Sequence, residues 1–325
     1  MLTKRAFLSV IAVMGFGISA ISSASAESFP THPVKIIVPL PPGSAPDIRH
    51  RLIAQRLTEL WGQQVIVENR PGGSGLIGTR AALAGEPDGY TLFAALASIY
   101  TILPAQNENL PFDVNNDLVP IGLTAREGMV LAASSKLGVN SLPELIALAK
   151  RKPDQLVIGT NPAGTLPHLA ARLLVDLSKA PMTVVPYSTG GTIEAIKDIM
   201  GGRVHAVIEG LAGLKSSLDA GDLKALAIMS REPLPTFPHL ALASAAVPGL
   251  TAVGWQALTV PRGTPAATIS KLTDDLRKVL QNSELQKQLL TTGSEFEPLF
   301  GAELERFIGD EEKYWWPLVR KYSAN

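Results

Sequence analysis

Four short turns carry the residues with the most chemical potential. They are Pro42-Gly43-Ser44-Ala45, Gly72-Gly73-Ser74-Gly75, Thr160-Asn161-Pro162-Ala163-Gly164-Thr165 and Tyr187-Ser188-Thr189-Gly190-Gly191. Each is rich in Gly, Ser or Thr, and each runs into a segment whose apolar residues recur at helical spacing. The start of a helix exposes backbone N–H groups without intrahelical partners and carries about half a positive charge. Such ends hold a carboxylate or phosphate without Lys or Arg. A single turn of this kind is ordinary loop chemistry; four in one chain point to a site for an anion.

Other chemistries find little support. Gly73-Ser-Gly75-Leu-Ile-Gly78 fits the dinucleotide pattern G-x-G-x-x-G after a strand, but it sits on the second strand–helix turn rather than the first. No acidic residue follows about 20 positions later to hold a ribose. The phosphate-binding G-x-x-x-x-G-K and the nucleophile elbow G-x-S-x-G are both absent. There is no cysteine, which removes thiol catalysis, disulfides and thiolate metal sites. The five histidines, His32, His50, His168, His205 and His239, do not pair at metal-ligand spacing. His168 follows Pro167 at a helix start, where it either lines a pocket or is simply solvated. Asp47 fits the first turn of a helix, where capping alone would explain it, and it also falls in the first of the four turns. Trp315 and Trp316 read as core and rim of the last helix. No cofactor or metal is expected.

The whole chain balances 29 basic against 29 acidic residues in 325. That balance offers no electrostatic footprint for nucleic acid or an acidic membrane. Residues 1–26 read as a cleavable leader: Lys4 and Arg5, an apolar run from Ala6 to Ala20, then Ala24-Ser25-Ala26 as a small-residue cleavage site. The run is shorter than the roughly 20 residues a bilayer core requires. Periplasmic export is therefore expected, and the rest of the chain is long enough for two α/β units.

From Pro33 onward, short apolar runs alternate with amphipathic helices, the signature of an α/β fold. Strands are expected at Val34–Pro39, Gln64–Glu68, Tyr90–Ala94, Leu156–Gly159, Met182–Tyr187, Val204–Ile208 and Leu223–Ile228. A first helix places Ile48, Leu52, Ile53, Leu57 and Leu60 at helical spacing. Ser141 with Glu144 marks a capping box. Val119–Leu123 and Met129–Ala133 read as a strand leaving one lobe and entering another, and Thr251–Pro261 as the return. Two crossings imply a hinge and a cleft. The lobes are expected at 27–126 with 253–325, and at 127–252.

Several phrases in order resemble one family along nearly the whole chain after the leader. They include Pro33-Val-Lys-Ile-Ile-Val-Pro, Pro41-Pro-Gly-x-x-x-Asp47, Val67-Glu-Asn-Arg-Pro-Gly-Gly, Pro87-Asp-Gly-Tyr-Thr-Leu, Pro167-His168-Leu, Val185-Pro-Tyr and Val260-Pro-x-Gly-Thr-Pro265. Together they resemble the substrate-binding proteins of tripartite tricarboxylate transporters, the Bug receptors. That resemblance implies a periplasmic binding protein-like fold of type II: two α/β lobes, two crossing strands and a ligand cleft between. It also implies a monomeric receptor, not an enzyme, that delivers a carboxylate to integral-membrane transporter subunits; the alternative is a ligand-sensing accessory of a two-component system. Carried over by position, the ligand contacts are Leu40, Gly43, Ser44, Ala45 and Asp47, with Ser74 and Ser98. From the second lobe come Thr160, Thr165, His168, Tyr187, Ser188 and Glu209. The sequence departs from the family pattern at Leu40 (usually Phe), Ser44 (usually Gly), Ser188 (often Lys) and Glu209 (often Asp). Ala97-Ser-Ile-Tyr100 stands where the family has a Gly-Thr-x-His-like stretch. Loss of a Lys and gain of Tyr100 point to a less anionic, more apolar or aromatic ligand.

Overall fold

The structure, a computed structural model, describes residues 29–107, 109–188, 191–234, 237–291 and 297–323. The leader expected at 1–26 lies outside them, as do Thr189 and Gly190 of the fourth turn. The chain begins with β1 (Val34–Val38), α1 (Ala45–Trp61), β2 (Val65–Asn69), α2 (Leu76–Leu83) and β3 (Thr91–Leu96). Short helices α3 (Ala97–Thr101), α4 (Leu103–Gln106) and α5 (Val114–Asp117) lead into β4 (Leu118–Ser134). Next come α6 (Leu142–Arg151), β5 (Leu156–Thr160), α7 (Leu166–Ser178), β6 (Met182–Pro186), α8 (Gly191–Met200), β7 (Ala206–Gly210), α9 (Leu211–Asp219) and β8 (Leu223–Ile228). The chain finishes with α10 (Ala243–Ala246), β9 (Val253–Pro261), α11 (Ala266–Leu280), α12 (Ser283–Thr291) and α13 (Gly301–Ser323).

Local chemistry sets these boundaries. In β1, Val34, Ile36 and Val38 are fully buried and Ile37 nearly so, because a parallel strand covered by helices on both faces needs apolar residues on both. Helix α1 starts where the Ser44 hydroxyl accepts the Asp47 N–H at 3.4 Å. It stops at Gly62, whose φ of +65° lets its N–H return to the Thr58 carbonyl. Helix α6 has the expected reciprocal cap: Ser141 Oγ accepts from Glu144 N–H, and Glu144 reaches back to Asn140 N–H at 2.8 Å.

The strands order as β2-β1-β3-β9-β4-β7-β5-β6, with β8 also on β4. Strands β2, β1 and β3 run parallel, and β9 enters antiparallel between β3 and β4. In the second lobe β7, β5 and β6 run parallel to one another, and β4 lies antiparallel between β7 and β8. Each sheet has apolar clusters on both faces, the first under α1 and α11 on one side and α3 on the other, the second under α6 and α7 and under α8 and α9.

The two strand segments expected at 119–123 and 129–133 are one continuous strand of 17 residues. Thr124-Ala-Arg-Glu-Gly128 stays extended because β9 pairs beside it, with Arg126 opposite Trp255 and Gly128 opposite Val253. The buried face of α1 also differs from the apolar spacing. Ile48 and Leu60 are 42% and 46% exposed, whereas Arg49 and His50 are fully buried with Ile53 and Leu57. A buried ion pair and a buried hydrogen bond, described below, turn the helix this way.

Helix α13, expected with the first lobe, serves both. Its early residues Leu304 and Ile308 pack with Phe93 and Trp255, while Trp315, Val319 and Tyr322 pack with Leu169 and Leu173 of α7. Lys321 Nζ and the Tyr322 hydroxyl both reach Asp176 on α7, at 2.5 and 3.1 Å. Trp315 is core, and Trp316 is half-buried with its indole N–H on the Tyr100 carbonyl at 3.1 Å. Trp315→Ala is expected to cost about 3–5 kcal/mol, the usual penalty for emptying a buried indole site. Urea unfolding of the variant checks this through a lowered midpoint.

Candidate functional site

A cavity of about 670 Å³ opens between the lobes. Its walls are the turn after β1, the Pro71–Gly75 turn, the start of α3, the crossing strands, and the turn between β5 and α7. Of the residues expected from sequence, Leu40, Ser74, Ser98, Thr165 and Glu209 line it.

The Gly72–Gly75 turn is the most shaped part. Four successive residues have positive φ: Gly72 (+123°), Gly73 (+58°), Ser74 (+55°) and Gly75 (+101°). Ser74 is not a glycine, and an L-residue held in this region stores strain of order 1–3 kcal/mol, the kind of outlier that accompanies ligand sites. The last glycine of the G-x-G-x-x-G match has a packing reason. A Cβ at Gly78 would stand 2.7 Å from Pro39 Cβ and 3.0 Å from Pro39 Cα, so glycine lets α2 sit against the turn after β1.

Gly43, Ser44, Ala45 and Asp47 do not line the cavity; most of their polar groups hold the turn itself. The Asp47 carboxylate accepts Gly43 N–H at 2.8 Å, Arg51 Nε at 3.0 Å and Asn69 Nδ2 at 2.8 Å. Asn69 Nδ2 also reaches the Leu40 carbonyl at 2.9 Å. Burial acts to raise the Asp47 carboxyl, but the bonds from Arg51, Gly43 and Asn69 outweigh it and hold it below its ordinary value. Gly43 has a φ of +81°, which only glycine adopts freely.

On the second lobe, Thr160 is fully buried and bonds the Asn161 carbonyl. Asn161 lines the cavity and organises its neighbours. Its Oδ1 accepts the Thr192 N–H at 2.9 Å, and its Nδ2 donates to Glu209 at 2.5 Å. Thr165, at the cap position of α7, bonds the Pro162 carbonyl. His168 does not reach the main cavity. Its Nδ1 accepts Gly164 N–H at 3.2 Å, and its ring borders a neighbouring cavity of about 470 Å³ with Arg172 and Tyr322. Burial, and then Arg172, push its pKa down. Tyr187 braces β6 to α8 through a 2.6 Å bond to Asp198; burial and that carboxylate push its hydroxyl up to about 12. Ser188 is exposed on the adjoining turn and lies off the cavity wall.

The residues that spacing did not reveal come from the crossing. Glu127 on β4 lines the cavity and pairs with Arg49 at 2.7 Å, with the Arg49 side chain fully buried. Gln256, Trp255 and Gly254 of β9 and Gln106 of α4 also line it. The only sequence clue was position, since all but Gln106 fall where the chain crosses between lobes. Beside Arg49, His50 Nδ1 meets the Pro46 carbonyl at 2.8 Å and Nε2 lies 3.4 Å from Thr124 Oγ1. Glu209 accepts Thr192 Oγ1 at 2.7 Å and Gly210 N–H at 2.8 Å as well as Asn161. Burial first, then the Glu127 charge, raise its pKa against those bonds. Among the described residues no group of acidic or histidine side chains is arranged to hold a metal.

The family model "Tripartite tricarboxylate transporter family receptor" matches residues 49–323. Protein BugT of Bordetella pertussis is 32% identical over 97% of this chain and 98% of its own length. An R. palustris protein, Rpa4515, solved with adipate superposes at a TM-score of 0.80 with 29% identity, over 91% of this chain and 98% of that one. MatC from Rhodopseudomonas palustris, solved with malate, gives 0.74 and 26% over 90% and all of its chain. The chain belongs to the tripartite tricarboxylate transporter receptor family. This is a family of periplasmic solute-binding receptors, not of enzymes, that work with membrane transporter components.

Burial pushes the His50 pKa from 6.5 down to about 4. The unfolded chain therefore takes the proton first, and stability is expected to fall as pH drops from 6.5 toward 4, then flatten. At roughly 1.4 kcal/mol per unit the loss is about 3 kcal/mol. His50→Gln should flatten that part of the stability–pH curve; an unchanged slope would contradict the assignment.

Proposed function

We propose that the protein is a periplasmic receptor that captures a small carboxylate in the cavity between its lobes for integral-membrane transporter subunits. The observation that carries this reading is the Gly72–Gly75 turn, bent through four positive-φ residues at the start of α2 and opening on a cavity of about 670 Å³. An amide-rich helix start stabilises a carboxylate without a cationic side chain. Family membership, and the adipate and malate bound by two structural relatives, support the same ligand class.

Residues 27–126 with 253–325 form one lobe and 127–252 the other, with the last turns of α13 docked across the divide. Ligand contacts from both sides stabilise the closed arrangement, a hinge motion about β4 and β9. No bond is made or broken. Among the described residues no histidine shares the cavity wall with Ser74, Ser98 and Thr165, and His168 borders the neighbouring cavity. Residues 1–26 serve as a cleavable leader, and the working form is a monomer.

A bound ligand at 100 times its Kd adds about 2.7 kcal/mol to stability, so a thermal-shift screen of small carboxylates should find members that raise Tm. Ser98→Asp places a like charge on the cavity wall and should weaken the best hit at least tenfold, roughly 1.4 kcal/mol. Isothermal calorimetry measures this, and unchanged affinity would count against the site.

A further inference from the structure

Glu127 and Glu209 are both on the cavity wall, and no Lys, Arg or His shares it among the described residues. They belong to the same patch. A Cβ at Gly210 would stand 2.4 Å from Glu127 Oε1, and Gly210 N–H bonds Glu209 Oε1. Their charges are not balanced equally. Arg49 is fully buried behind Glu127 and pairs with it at 2.7 Å. Glu209 has three neutral donors, from Asn161, Thr192 and Gly210, and no cationic partner among them. A carboxylate offers about four acceptor positions, so Glu209 has capacity left on a side chain whose exposed part borders the cavity.

The cavity wall is therefore polarised. Ser74, on the turn before α2, and Ser98, in α3, come from the first lobe, whereas Glu209 lies on β7 of the second lobe and Glu127 on the crossing strand β4. Leu96, Leu103, Met129, Leu166 and Trp255 are among the apolar residues of the remaining wall. A ligand with a second carboxylate beside Glu209 would set like charges against each other, which repel. A protonated amine would meet unfilled acceptors instead. Gln256, also on the wall, has a buried amide oxygen with no hydrogen-bond partner, and a half-turn of its amide exchanges oxygen for nitrogen.

We propose that the receptor selects a monocarboxylate whose far end carries a protonated amine across an apolar spacer, with Glu209 as counter-ion and Glu127 beside it. The inference rests on the carboxylate reading above and adds the second pole.

The test is calorimetry on two matched series: 6-aminohexanoate, hexanoate and adipate, then 4-(aminomethyl)benzoate, 4-ethylbenzoate and 4-(carboxymethyl)benzoate. The amine member is expected to bind at least tenfold tighter than its alkyl and diacid counterparts in at least one series. In Glu209→Gln the ratio of amine to alkyl affinity should fall at least tenfold, a readout that general damage to the pocket would not move. If that variant does not fold, the wild-type ranking alone decides. Tighter binding of the diacids overturns this inference and leaves the carboxylate receptor standing. Hexylamine binding as well as 6-aminohexanoate would remove the carboxylate reading itself, and no binding of either series at millimolar concentration overturns both.

Discussion

Everything at the site depends on the antiparallel ladder between β4 and β9. One 17-residue strand belongs to both sheets, and β9 follows it from Gly128–Val253 to Leu118–Pro261. Backbone bonds there are obligatory, because an unpaired buried N–H or carbonyl is costly. The ladder thus fixes where each lobe begins relative to the other. The turns after β1, β2, β3 and β5 come to one cavity because the sheets that carry them share this strand.

The ladder also explains why an ion pair lies at the crossing. Glu127 sits on the crossing, and removing its water requires a partner close by. Arg49 supplies it from α1, and with His50 it turns that helix so that two polar residues face inward while Ile48 and Leu60 face outward. A buried pair of this kind adds little net stability, but breaking one side leaves an uncompensated charge. Its contribution here is orientation: it docks α1, and hence the turn before it, against the crossing.

Much of the fold was legible in the sequence. The alternation of apolar runs and helices and the cap at Ser141 are local signals, and local chemistry determined them. What was hidden depends on partners far along the chain. Thr124–Gly128 has no strand signature of its own and is extended only because residues 253–257 lie beside it. The burial of Arg49 and His50 left no trace in the apolar spacing of α1, because their partners, Glu127 and Thr124, are more than 70 positions away. At the site, two of the Gly- and Ser-rich turns expected to meet an anion place Ser74 and Thr165 on the cavity wall, and Ser98, supplied by the resemblance, borders it too. Spacing alone did not distinguish an Asp47 that bonds its own turn from one that meets a ligand, nor did it give Glu127 any mark.

Helix α13 gives the chain a particular order of assembly. Leu304 and Ile308 complete one hydrophobic interior, and Trp315 and Val319 complete the other. Both interiors remain open to solvent while the ribosome is still making the preceding 300 or so residues. Native packing of both therefore waits for α13, and until that helix is present the nascent polypeptide exposes apolar surface that chaperones can recognise.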